Sequence, residues 1–133
     1  MKLQDTFAVL KGDLSVETVD VSPTLYSELD ARFEQFRSCV LVSTHEFSAD
    51  WPTWERHPAG DEIVILLSGA ASMVLKTDSG REVVELDEPG AYVVVPRNTW
   101  HTSRVARSAR MLFIAPGEGT ENLTDGEFPG AGP

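Results

Sequence analysis

The sequence predicts an all-β domain, an antiparallel sandwich or barrel, with a single amphipathic helix near its N-terminus. Three observations carry that expectation. The chain has 133 residues, about the size of one domain with one core. From Arg37 onward, β-branched and aromatic runs of strand length recur between Gly and Pro turn signals. Only one segment shows helical spacing, so an alternating α/β sheet is disfavoured.

Residues 5–21, DTFAVLKGDLSVETVDV, have the alternation to add one or two strands to a sheet, the chain's own or a second copy's. The segment SPTLYSELDARFEQF follows, with Ser22 as the capping residue and Pro23 in the first turn. Leu25, Leu29, Phe33 and Phe36 then fall on one helical face, which is expected to cover the outside or base of the barrel. The strand candidates are CVLVSTHEF, EIVILLSG, ASMVLKT, REVVELD, AYVVVP, TSRVA and RMLFIA, with TDSGRE, DEPG and HPAGDE as turns. The stretch from Pro116 to Pro133, PGEGTENLTDGEFPGAGP, is rich in Gly, Pro and acid and predicts a loosely held, dispensable tail.

Composition narrows the partners. Eleven basic residues against twenty-one acidic ones give a formal charge of −10, which repels nucleic acid and anionic lipid. No apolar run approaches the ~20 residues of a membrane helix, and MKLQDTFAVLKGDL lacks a signal-peptide core, so a soluble, cytoplasmic protein is expected. The lone Cys39, in the apolar run SCVLVS, is expected to be an inert core thiol.

The candidate chemistry lies in WPTWERHPAGDE. Alternation in an extended strand puts Trp51, Thr53, Glu55 and His57 on one face, and the PAGD turn brings Glu62 beside them. His101, after GAYVVVPRNTW, opens a further strand. Two imidazoles and two carboxylates converging from three strands satisfy the preferences of a divalent transition metal. Trp51, Trp54 and Trp100 flank the mouth of such a site, where indoles either stack on a ligand or close the barrel. His45 is placed away from the site, at an interface or the far end of the barrel.

These residues resemble the cupin superfamily, whose first motif reads G-x5-H-x-H-x(3,4)-E-x6-G; His57, Glu62 and Gly69 match it. The second motif, G-x5-P-x-G-x2-H-x3-N, is matched by Gly90, Pro96 and His101. The 20 residues between Gly69 and Gly90 are typical of compact, single-domain bacterial cupins. The departures are Ala49 and Asn98 at glycine positions, Val105 at the asparagine, and Glu55 at the first histidine. The resemblance implies a jelly-roll barrel over 1–116, with an N-terminal strand and helix region in 1–37, the cupin core in 38–116 and the acidic tail in 117–133. It also implies one divalent metal on Glu55, His57, Glu62 and His101, either iron, manganese, zinc or nickel. A homodimer is expected too, because CVLVSTHEF would otherwise leave an apolar edge bare. Two functions stay open. One is a metal-dependent oxygenase or isomerase-like enzyme acting on a small oxygenated molecule; the other is a non-catalytic barrel that senses or binds a metal or small ligand.

Overall fold

The structure is a computed structural model that describes residues 1–128. The strands are β1 Thr6–Leu10, β2 Val16–Asp20, β3 Val40–Phe47, β4 Thr53–Arg56, β5 Glu62–Gly69, β6 Ala71–Thr77, β7 Gly80–Leu86, β8 Tyr92–Val95, β9 His101–Arg104, β10 Ala109–Pro116 and β11 Glu121–Thr124. The helix α1 spans Leu25–Arg32. All strand pairings are antiparallel and form two sheets, ordered β2-β1-β3-β10-β5-β8 and β11-β4-β9-β6-β7. No helix among the described residues is long and apolar enough to cross a membrane.

The period-two pattern explains how the sheets face each other. In β5, Glu62, Val64 and Leu66 point inward, as do Val93 and Val95 in β8 and Met111 and Phe113 in β10. They meet Met73 and Leu75 of β6 and Leu86 of β7 in one core between the sheets. Gly69 ends β5 with φ of 78°, and a Cβ there would collide with the Ser108 carbonyl, so only glycine fits this corner. Asn98 occupies a glycine position of the second motif with φ of 61°, a left-handed conformation that asparagine tolerates better than most residues.

Three expectations change. The helix stops at Arg32 instead of running to Phe36, because Glu34, Gln35 and Phe36 take left-handed φ values of 51°, 60° and 62°. Phe33 and Phe36 are still buried, but from the following turn, in a second core with Phe7, Val9, Val19, Leu25, Leu29 and Leu41. The N-terminal strands pair with this chain's own sheet: β1 lies against β3 from Leu10↔Val40 to Ala8↔Val42. β3 is therefore interior, flanked by β1 and β10, and exposes no apolar edge.

The third change concerns the segment read as a loose tail. β11 pairs with β4 over four residues, from Glu121↔Arg56 to Thr124↔Thr53. Beyond it, Phe128 is buried and stacks on Trp54 with ring centroids 4.1 Å apart and an interplanar angle of 11°. Trp54 also donates its indole N–H to Asp125 at 2.7 Å. Composition misleads here because two large apolar side chains, Leu123 and Phe128, suffice when an aromatic platform already waits on the sheet. Residues 129–133, the rest of that expected tail, lie outside the described residues.

Candidate metal centre and cavity

The site forms where three strands begin or end. Glu62 opens β5 in one sheet and His101 opens β9 in the other, while His57 follows directly after β4. The intervening turn is tied down: Asp61 accepts the Arg97 N–H at 2.8 Å, Arg97 donates to the Ala59 carbonyl at 3.0 Å, and Asn98 N–H donates to the His57 carbonyl at 3.1 Å. These bonds hold the His57 backbone against the loop that leads into His101.

The side chains converge tightly. His101 Nε2 lies 2.9 Å and His57 Nε2 lies 3.4 Å from Glu62 Oε1, and all three residues are buried. One donor atom from each falls within 4.8 Å of the others. The far nitrogens set the tautomers. His101 Nδ1 is 3.0 Å from the Thr99 carbonyl, which can only accept, so Nδ1 carries the proton. His57 Nδ1 is 2.9 Å from Thr120 Oγ1, whose own hydrogen goes to the Gly117 carbonyl at 2.9 Å, so His57 likewise donates from Nδ1. Each ring, when neutral, then presents a bare Nε2 lone pair to the Glu62 oxygen.

Lone pairs facing one another at such distances repel unless something positive lies between them. The contacts are as short as hydrogen bonds but misaligned, so His57 Nε2, Glu62 Oε1 and His101 Nε2 are all buried without a hydrogen-bond partner. Two imidazoles and a carboxylate, each steadied from behind and with unused donor atoms converging on one point, fit a divalent transition metal. Without one, a proton must take its place. Burial alone would raise the Glu62 carboxyl, yet close contact with His101 and His57 outweighs it and holds the group at about 2. Burial would lower His101, but Glu62, the Thr99 carbonyl and Glu55 together push it up.

Glu55 sits close by without joining the trio. It pairs with His101 across β4 and β9 and lines the adjoining cavity, half-buried. Burial, reinforced by the charge of Glu62, raises its carboxyl above the ordinary value despite the opposing imidazoles.

The cavity has a volume of about 980 Å³ and opens between the sheets beneath α1 and residues 117–122. Trp51 lines it as expected, but Trp54 and Trp100 do not. Trp54 neighbours Glu55 in an extended strand and so points to the opposite face, where it packs with Trp100, Val74, Leu123 and Phe128. The proposal that these two indoles stack on a ligand is therefore corrected. The helix, expected over the outside or base of the barrel, contributes Tyr26, Leu29 and Asp30 to the cavity lining.

Two contributors escaped sequence reasoning. His45 lines the cavity, with its Nε2 3.3 Å from the Tyr26 hydroxyl and its ring against Phe7, Phe47 and Phe113. Alternation within β3, which puts His45 on one face with Leu41, Ser43 and Phe47, was the available signal. Thr120, which orients His57, lies in the segment dismissed as tail, and nothing local distinguishes it.

No family profile and no curated protein matches the chain. Solved structures do. A recombinant oxalate oxidase in complex with glycolate aligns with a TM-score of 0.51 at 21% identity, covering 62% of this chain and 45% of that one. An oxalate decarboxylase of Bacillus subtilis aligns at 0.50 and 19% identity, covering 65% and 23%. A cupin-2 domain protein of Shewanella frigidimarina aligns at 0.49 and 17% identity, covering 58% and 70%. The chain has the cupin fold, with a His/Glu/His group suited to metal. It spans less than half the length of the two enzymes, and at such identities the likeness speaks for the fold alone.

Proposed function

We propose that the chain is a metal-dependent cupin that holds one divalent transition metal on His57, Glu62 and His101 and binds a small oxygenated molecule in the adjoining cavity. The observation that carries this reading is the convergence of three unpartnered buried donor atoms within 4.8 Å. Two histidines and one carboxylate leave coordination positions open, the arrangement of non-haem iron oxygenases, and manganese, zinc and nickel accept the same donors. A bound ion would act as a Lewis acid on an oxygen of the ligand. The chain's own residues do the rest. Thr120 and the Thr99 carbonyl fix the imidazoles, α1 and residues 117–122 limit water above the site, and Glu55 faces the cavity with a raised carboxyl suited to holding or accepting a proton. We include Glu55 as an outer member of the metal set, electrically balancing a dication together with Glu62.

The test is metal content. Purified protein should carry about one equivalent of transition metal, and His57→Ala or His101→Ala should lose most of it while far-UV circular dichroism stays β-rich, since the apolar core does not involve the ion. Full occupancy in both variants would refute the site. Retained metal in wild type with no oxygen uptake or turnover on small phenols, sugars and acids would favour the binding barrel over the enzyme.

A further inference from the structure

The cavity's lining is one-sided in charge. Its acidic side chains are Asp30, Glu55, Glu62 and Glu118, its histidines are His45 and His57, and no Lys or Arg among the described residues lines it. A dication would balance Glu55 and Glu62, leaving Asp30, on α1, and Glu118 as two further carboxylates of the lining. Glu118 accepts a hydrogen bond from the Ser38 N–H at 3.1 Å, which orients the carboxylate without neutralising it. His45 adds no positive charge at neutral pH, because burial pushes its imidazole below the ordinary value.

Much of the remaining lining is aromatic, supplied by Tyr26, Phe36, Phe47, Trp51 and Phe113. The Trp51, Phe47 and Phe113 rings pack with centroids 5.4 to 6.2 Å apart, a rigid surface for a flat or apolar body. Trp51 is 6% exposed, and its indole N–H is buried without an acceptor. That nitrogen is closed off from the cavity, so Trp51 meets it through the carbon surface of its ring. Aromatic faces also attract cations.

From this lining we infer that the cavity selects an uncharged or cationic small molecule with an aromatic or apolar body, and discriminates against carboxylic acids and phosphates. The inference rests on the proposed function for the metal but not for the charge of the wall. Sites built for anions supply Arg or Lys, or clustered backbone N–H groups, and a carboxylate entering here would meet Asp30 and Glu118 with no Lys or Arg in the lining to offset them.

The experiment uses three probes of one shape: 4-hydroxybenzylamine as the cation, 4-hydroxybenzyl alcohol as the neutral form and 4-hydroxybenzoate as the anion. Affinities are measured by calorimetry at neutral pH, on metal-free and on metal-loaded protein. The amine and the alcohol should bind metal-free protein roughly tenfold or more tighter than the acid. The paired substitution Asp30→Asn with Glu118→Gln should narrow that gap several-fold, while Glu118→Gln alone keeps a group able to accept the Ser38 hydrogen bond. An acid that binds metal-free protein as tightly as the amine overturns the inference. So does a gap unchanged by the paired substitution, and so does failure of all three probes at millimolar concentration. Metal content is read separately. A protein that takes up no metal sinks the proposed function alone, whereas full metal with preference for the acid sinks this inference alone.

Discussion

Phe128→Ala is the sharpest test of whether the C-terminal segment belongs to the fold. Phe128 is 6% exposed, lies parallel to Trp54 at 4.1 Å and meets Trp100 edge-on at 5.7 Å. Truncating a closed core phenylalanine costs 3–5 kcal/mol, and the segment here can partly settle into the space, so about 3 kcal/mol is expected. For a domain of this size that corresponds to a melting temperature lower by roughly 10 °C. The loss has a ceiling. It cannot exceed the free energy with which the segment docks, so truncation after Pro116 should cost at least as much, since it also removes four residues paired with β4. Thermal melts followed by circular dichroism compare wild type, Phe128→Ala and the truncation. Metal titration supplies a second readout: once β11 is released, Thr120 no longer orients His57, and affinity should fall about 10–100-fold. A truncation that lowers the melting temperature by less than about 5 °C and leaves metal affinity unchanged would show that the segment does not pack.

Further outcomes follow from the site and the sheet surface. Glu62→Gln should abolish stoichiometric metal binding, because its Oε1 contacts both imidazoles, whereas Glu55→Gln should weaken it modestly and Glu55→His should hold metal at least as tightly; equal losses in Glu62→Gln and Glu55→Gln, read by metal analysis, would contradict the geometry. In metal-free protein, Glu62 is held at about 2 and its contribution is lost only as pH falls through that value, while that of the raised His101 is full below its ordinary value and lost as pH rises through the raised one. Metal requires neutral imidazole, so the rise in melting temperature on adding metal should widen as pH climbs from the ordinary histidine range through the raised value of His101; a constant rise would exclude His101 as a ligand. The outward face of the six-stranded sheet carries Tyr92 and Val94 opposite Ile65 and Ile63, with Leu112 and Ile114 beyond, an apolar surface that we expect a second copy to cover. Light scattering should give about twice 14.6 kDa, and the monomer mass at micromolar concentration would refute it.

The parts legible in the sequence were those governed by short-range geometry. Period-two alternation put Val93 and Val95 inside and Tyr92 and Val94 outside, and the spacing of His57, Glu62 and His101 survived folding because each stands at a strand boundary whose turn is pinned by backbone bonds. The same parity rule, applied strictly, separates Trp54 from Glu55; grouping the tryptophans by residue type obscured it. What stayed illegible depends on contacts distant in sequence. Thr120 becomes a site residue only because β11 returns 63 residues later to lie beside His57. Phe128 becomes core only because Trp54 and Trp100 turned their backs on the cavity. These two facts are one. By sending two indoles outward, β4 and the loop before β9 created an apolar platform; docking Phe128 there brings β11 alongside β4, and that places Thr120 on the imidazole. The segment that composition marked as expendable thus couples the outer packing of one sheet to the orientation of a candidate metal donor on its inner side.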